Sequence, residues 1–185
     1  MGGNKASFQV SVNGTTNYGI MYSGESSKLV GFSDSDFACD KTDRRSCSGC
    51  VFLLNSGAIS WSSRRQSCVA LSTAEAEYMS LADASKIAVW LGRVVNELSD
   101  CSDRTDPLTM MVDNQSAITL AKNYLVSGRT KHVDVKFHYV KELVSRNIIE
   151  LHYCPTEDMI ADIFTKPLNK IKFVKFRKLL GMMSV

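Results

Sequence analysis

The stretch Val30-Gly31-Phe32-Ser33-Asp34-Ser35-Asp36-Phe37-Ala38-Cys39 decides how the rest of the chain is read. Small and apolar residues alternate along it, as in a half-buried β-strand, and two aspartates fall two residues apart. Residues i and i+2 of a strand share a face, so Asp34 and Asp36 point the same way. A carboxylate set against a core is costly unless a partner compensates it, and a bound cation is one such partner. Other acids that converge on this strand would therefore mark a site.

Working outward, Asp40-Lys41-Thr42-Asp43-Arg44-Arg45 is a polar loop, residues 48–54 form a second strand and Asn55-Ser56-Gly57 is a hairpin turn. Residues 58–62 continue as a third strand, which completes an antiparallel meander. On the other side, residues 17–22 read as a short strand followed by a Ser/Gly turn over 23–27. Residues 1–15 are poorly patterned, an N-terminal extension or connection remnant, and 16–185 read as one domain. Downstream, Leu71-Ser72-Thr73-Ala74-Glu75 fits a capping box that opens a helix running to Leu98, broken by residues 99–102. A strand over 108–112, a short helix over 115–122, a linker around 127–129 and a helix over 133–145 follow. A strand over 148–153, a helix over 157–165 ended by Lys166-Pro167, and a basic amphipathic helix over 170–180 close the chain. Helical crossovers between the later strands imply parallel pairing, hence a mixed sheet in an α/β domain.

The chain has 185 residues, 44% hydrophobic and 22% charged, which suits one soluble domain with a full core. A net charge of +3 permits an anionic partner without demanding one. No apolar run approaches the roughly 18 residues of a membrane span, no secretory pattern follows Met1, and Ala6 stands where a myristoylation pattern needs Ser or Thr. The six cysteines are scattered and read as reduced intracellular thiols. Cys47-Ser48-Gly49-Cys50 is a lone C-x-x-C, a weak signal for zinc or redox work.

Three further acids, Glu77, Asp113 and Asp162, stand out as companions of Asp34. Glu75 completes the capping box and falls in line with Met79, Asp83 and Lys86, an outer stripe. Glu77 aligns with Leu81, Ala84 and Ala88 at the edge of the sheet-facing side, either as favourable charge at the positive helix end or as a ligand. Asp113 follows the apolar strand Leu108-Thr109-Met110-Met111-Val112, where open α/β sheets place their ligands, although Asp113 or Asn114 also suits a helix cap. Asp162 lies four residues from both Asp158 and Lys166, so an exposed Asp162–Lys166 pair competes with a role in a site. Together the four acids suit two hard divalent cations, magnesium or manganese. Two such ions about 3.5–4 Å apart serve phosphodiester hydrolysis, one activating water and one stabilising the leaving oxygen.

Seven ordered blocks carry a resemblance: Gly31-Phe32-Ser33-Asp34-Ser35-Asp36-Phe37-Ala38, Arg45-Ser46-Cys47-Ser48-Gly49, Ile59-Ser60-Trp61, Leu71-Ser72-Thr73-Ala74-Glu75-Ala76-Glu77-Tyr78, Val112-Asp113-Asn114-Gln115-Ser116-Ala117, Lys131-His132-Val133-Asp134-Val135 and Ala161-Asp162-Ile163-Phe164-Thr165-Lys166-Pro167-Leu168. From about Thr16 onward the chain resembles the ribonuclease H domain of copia-type LTR retrotransposon Pol polyproteins. The resemblance implies a ribonuclease H-like fold, a five-stranded mixed sheet flanked by helices. It implies a metal-dependent endoribonuclease that cuts the RNA strand of RNA–DNA hybrids during reverse transcription, leaving 5′-phosphate and 3′-hydroxyl ends. The family's metal-binding acids carry over to Asp34, Glu77, Asp113 and Asp162, with two Mg²⁺ for which Mn²⁺ may substitute; Asp36 becomes a supporting acid. Implied partners are the hybrid and the reverse transcriptase domain of the same polyprotein, with no membrane. The implied location is intracellular, either cytoplasmic (virus-like particle) or nuclear. The alternatives are a catalytically weak or domesticated hybrid-binding module, and a DNA-cutting nuclease or integrase of the same fold.

The chain departs from cellular ribonucleases H in one respect: the loop before the fourth acid, Cys154-Pro155-Thr156-Glu157, carries no mobile His. Cys47 and Cys50 also stand where Thr and Tyr are expected, which argues further against a metal role for them. For substrate contact the candidates are Arg44 and Arg45 after the catalytic strand, Arg64 and Arg65 between the third strand and the long helix, Ser72 and Thr73, Asn114 and Gln115, and Lys131 and His132. Val133, Phe137 and Val140 are helically spaced core candidates, and Lys136 is a further contact candidate. The lysines of 170–180 read as the solvated face of a packed helix.

Overall fold

A computed structural model describes residues 17–22, 28–98, 106–122 and 131–184, and the side chains of all of these except 131–135. The readings over residues 1–15, 23–27, 99–102 and 127–129, and the side chains of Lys131, His132 and Val133, lie outside the described residues.

The meander forms as expected. Strand β2 (Val30–Asp36) pairs antiparallel with β3 (Cys47–Leu54), and β3 with β4 (Gly57–Arg65). The β3–β4 turn is Asn55-Ser56 alone, both residues at positive φ (51° and 64°), the left-handed pair that a two-residue hairpin requires. Gly57 already belongs to β4. That strand runs three residues past its expected end and takes in Arg64 and Arg65, which the sequence places after it.

Helix α1 (Thr73–Leu98) then crosses to β5 (Leu108–Val112), which pairs parallel with β2. Helices α2 (Gln115–Lys122) and α3 (Lys131–Ser145) lead to β6 (Ile149–Tyr153), parallel to β5. The result is a five-stranded mixed sheet in the order β4-β3-β2-β5-β6, flanked by four helices.

Each sheet face has its own core. On one, Phe52, Met110, Val112, Ile149 and Leu151 pack against Leu81, Ala84, Ala88 and Leu91 of α1 and Val140 and Leu143 of α3. Phe137 of α3 stacks on Tyr78 with 3.9 Å between ring centroids. On the other face, Val51 packs with Met159, Ile160, Ala161 and Phe176.

Four further readings need correction. No α-helix spans 157–165; a turn over 156–158 leads into one 3-10 turn, Ile160–Phe164, because Met159, Ile160 and Ala161 are all drawn down onto β3. Met79 is not on an outer stripe: it is buried with Ala70 and Ala76, because the segment before α1 folds over that side of the helix. Helix α4 (Lys170–Leu179) buries Phe176 but also turns Lys172 inward. After it a strand with no sequence signal, β7 (Met182–Ser184), pairs antiparallel with β1 (Tyr18–Ile20) as a separate two-stranded sheet.

Candidate functional site

Strands β2 and β5 are parallel neighbours, so their carboxyl ends open on the same edge of the sheet, the place where α/β sheets present ligand groups. Asp34 stands near the end of β2, Asp113 just past the end of β5, and the 3-10 turn brings Asp162 onto the same edge. One carboxylate oxygen from each of Asp34, Asp113 and Asp162 lies within 4.8 Å of the other two. Asp162 can reach them because Gly49, opposite Asp34 in β3, has no side chain: a Cβ there would stand 2.6 Å from Thr165 Cγ2 and 3.0 Å from the Ala161 carbonyl.

Glu77 joins from α1. The capping box that phases this helix forms with one change: the Glu75 N–H donates to Ser72 Oγ (3.2 Å), but the Glu75 carboxylate accepts from Leu71 N–H (2.8 Å) one residue further back. Glu75 is thus tied to backbone, while Glu77 is turned to the sheet and only 7% exposed. The Ser35 N–H donates to Glu77 Oε1 (3.1 Å). Ser80, on the next turn of α1, donates to the Asp34 carbonyl (2.7 Å), which fastens helix to strand beside the acids. Glu77 lies outside the 4.8 Å group but close enough to feel its charge.

The electrostatics record how much negative charge is gathered here. Burial, and secondarily the charge of Asp162, pushes the Asp34 carboxyl up to about 7 although a Thr165 hydrogen bond pulls it down. Glu77 is pushed up to about 9 by burial and by the charges of Asp34 and Asp113. Asp113 is raised by burial, against the hydrogen bond from Thr156. Asp36, half-buried on the same face as Asp34, is raised mainly by burial; Lys166 lowers it and Asp162 raises it.

Each acid has one oxygen held by the protein. Thr165 Oγ1 donates to Asp34 Oδ2, Thr156 Oγ1 to Asp113 Oδ2 (3.0 Å), Lys172 Nζ to Asp162 Oδ2 and Ser35 N–H to Glu77 Oε1. Glu77 Oε2 and Asp162 Oδ1 are buried and accept no hydrogen bond. Lys166 Nζ approaches Asp162 Oδ1 to 2.8 Å, an ion-pair distance but off the direction of a hydrogen bond. A hard, all-oxygen set that includes a buried Glu77 oxygen accepting no hydrogen bond fits a hard metal cation.

The Asp162–Lys166 pair read from the sequence exists, but it is not an exposed one: Asp162 is fully buried. Thr156, Thr165 and Lys172 went unrecognised. Thr165 and Lys166 lie within residues 161–168, and two hydroxyls and a lysine near an acid-bearing segment are the sequence signal for such partners.

The other candidates separate. Arg45 pairs with Asp43 (3.1 Å), and Arg65 with Asp40 (3.0 Å) and Asp43, so both brace the β2–β3 loop. Arg44, at φ 61°, and Arg64 are exposed and have no ion pair among the described residues. Asn114 Oδ1 caps α2 by accepting from the Ala117 N–H (3.0 Å), whereas Gln115 is exposed. Lys136 pairs with Asp83 (3.2 Å). His152 lies beside Glu150 (3.1 Å) on β6. Among the described residues Cys39, Cys47, Cys50, Cys68 and Cys154 are free thiols. No described helix is long and apolar enough to cross a membrane.

No protein-family model matches the chain. Over 171 residues, 92% of its length, it is 38% identical to the retrovirus-related Pol polyprotein from transposon TNT 1-94 of Nicotiana tabacum, and it spans 13% of that polyprotein. Its fold is similar to the N-terminal ribonuclease H domain of a Mycobacterium tuberculosis protein, with TM-score 0.54 at 15% identity over 83% of this chain and 98% of that one. It is also similar to LC11-RNase H1, solved with an RNA/DNA hybrid, with TM-score 0.50 at 13% identity over 75% of this chain and 94% of that one. The chain belongs to the copia-type Pol polyprotein family, of which it is a segment with the ribonuclease H fold.

Proposed function

We propose that this chain is a metal-dependent endoribonuclease that hydrolyses the RNA strand of RNA–DNA hybrids during retrotransposon reverse transcription, leaving 5′-phosphate and 3′-hydroxyl ends. The observation that carries this reading is the convergence of Asp34, Asp113 and Asp162 within 4.8 Å at the carboxyl end of β2 and β5. Those three and Glu77 would hold two Mg²⁺, with Mn²⁺ able to substitute. Bound there, the cations supply positive charge for the attacking water and the leaving oxygen. The protein's part is positioning. Thr165, Thr156, Lys172 and the Ser35 N–H each fix one carboxylate oxygen, which leaves the acids oriented before a cation arrives. Asp36 supports from the last position of β2.

We take residues 16–185 as one domain that acts beside the reverse transcriptase of its polyprotein, within the cell, in a cytoplasmic particle or the nucleus. The exposed Arg44, Arg64, Ser72, Thr73 and Gln115 are the contacts we assign to the hybrid backbone, and Lys131 and His132, at the start of α3, are further candidates on sequence grounds. The test is a substrate panel: labelled hybrid and duplex DNA, with Mg²⁺, Mn²⁺ or EDTA. Hybrid cleavage that needs the metal is expected, and Asp113→Asn should lower it by roughly three orders of magnitude while hybrid binding survives. Wild-type rates from that variant would overturn the site. Cleavage of duplex DNA instead would favour the integrase-type reading, and binding without cleavage the non-enzymatic one.

A further inference from the structure

Two ammonium groups stand on Asp162, and the protein holds them differently. Lys172 reaches in from the first turn of α4, where its Nζ donates to Asp162 Oδ2 and to the Thr156 carbonyl (3.0 Å) and lies 5.1 Å from the centre of the Phe176 ring. It is tied at several points. Lys166 Nζ lies 2.8 Å from Asp162 Oδ1 and 3.9 Å from Asp34 Oδ2, and makes no other ion pair among the described residues. Its side chain is 32% exposed, whereas the two carboxylates it faces are 0% and 2% exposed. Lys166 is therefore a cation on a flexible four-carbon stem, placed across two of the three acids in the 4.8 Å group and open to water on its far side.

We propose that Lys166 is a displaceable counter-ion that competes with a divalent cation for Asp34 and Asp162. The inference rests on the metal reading given above. An ammonium and a metal ion cannot both take Asp162 Oδ1. Like charges a few ångströms apart repel strongly where water is scarce, so the incoming dication expels the singly charged group toward solvent. Lys172 stays, because it holds the opposite oxygen and a carbonyl. Lys166 thus weakens the apparent affinity for the cation while compensating the buried acids without one, by the same factor in both directions.

The experiment is calorimetric titration of Mg²⁺ into the chain at pH 8.5 and constant ionic strength, for wild type, Lys166→Met and Lys175→Met. Met keeps the apolar stem, and Lys175 is a control that removes the same charge from a surface pair with Asp158 (2.6 Å). Lys166→Met should bind Mg²⁺ about tenfold more tightly, and Lys175→Met should change affinity less than about twofold. An affinity that is unchanged or weaker in Lys166→Met, or equal tightening in both variants, overturns the proposal. Should Lys166→Met not fold, the wild type decides. The ¹⁵N ammonium signal of Lys166, held by Asp162, should be lost to solvent exchange as Mg²⁺ saturates, and its persistence at saturation would overturn the proposal. A wild-type chain that takes up no Mg²⁺ at all would remove the metal reading and this inference together, an outcome distinct from normal uptake by an indifferent variant.

Discussion

Asp34, on the sheet side of the site, and Asp162, on the turn side, are both shut away from water, 1% and 0% exposed, yet their surroundings handle charge in opposite ways. The sheet side compensates it only at a distance, by Lys166 Nζ 3.9 Å from Asp34 Oδ2. Asp34 and Glu77 are held by a hydroxyl and a backbone N–H, and burial pushes them up to about 7 and about 9. The turn side answers charge with charge: Asp162 meets Lys166 on one oxygen and Lys172 on the other. Lys166 is raised in return, since contact with Asp162 and the charges of Asp34 and Asp113 outweigh the desolvation that lowers it. Neutralising an acid should therefore have opposite signs on the two sides.

Asp162→Asn is the larger effect. It strips two half-buried ammonium groups of their shared counter-charge, and breaking a buried pair costs far more than a surface one. We expect about 3 kcal/mol of lost stability in denaturant unfolding without metal. A variant as stable as wild type would show that the lysines do not compensate Asp162, and the contrast between the two sides would collapse.

Asp34→Asn should stabilise the metal-free chain by about 2 kcal/mol at pH 8.5, because it removes a buried negative charge and keeps an oxygen for Thr165. The gain must vanish in acid. Asp34 and Glu77 have folded values above their unfolded ones, so the folded chain binds the extra protons. Below about pH 4 neither acid costs stability; the cost of Asp34 grows as pH rises toward about 7 and that of Glu77 as it rises toward about 9. Thermal unfolding in EDTA should show Tm falling across this window, and Mg²⁺ should restore most of the loss at the alkaline end, since it binds the ionised acids. A Tm that rises over the same window would reverse the assignment.

Gly49→Ala probes the seam between the sides. The added methyl would meet Thr165 Cγ2 and the Ala161 carbonyl, and backbone cannot yield as a side chain can. Lifting the 3-10 turn should cost about 2 kcal/mol and weaken Mg²⁺ binding together, by moving Asp162 away from Asp34. Loss of stability with unaltered Mg²⁺ affinity would mean that the seam does not set the site.

The same division explains what the sequence disclosed. The sheet side is built from regular elements whose periods are local. Alternation placed Asp34 and Asp36 on one face, and the capping box set the phase that separates Glu75 from Glu77. The turn side is made by tertiary contact. Asp158, Asp162 and Lys166 have helical spacing, but residues 160–164 form a 3-10 turn in which Asp162 is buried along with Met159, Ile160 and Ala161, so tertiary contact and not a helical stripe sets where Asp162 points. Lys172 sits in a run of lysines that otherwise face solvent, and only the position of Asp162 singles it out. Residues 17–22 read as a strand, but its partner at the other end of the described chain, Met182–Ser184, is three residues long and too short to leave a pattern.

Ser72→Ala is the smallest effect and tests the sheet side by itself. Ser72 Oγ accepts from the Glu75 N–H at the start of α1, two residues before Glu77. Losing this cap should cost about 1 kcal/mol, while Ser72→Asn, which can cap as well, should cost a few tenths at most. The loss should be local: amide exchange should quicken over the first turn of α1 and leave the 3-10 turn unchanged, because Lys166, Lys172 and Thr165 do not depend on α1 for their hold on Asp34 and Asp162. Faster exchange on both sides would show that one cooperative unit carries all four acids, and that the two sides differ in charge but not in mechanical support.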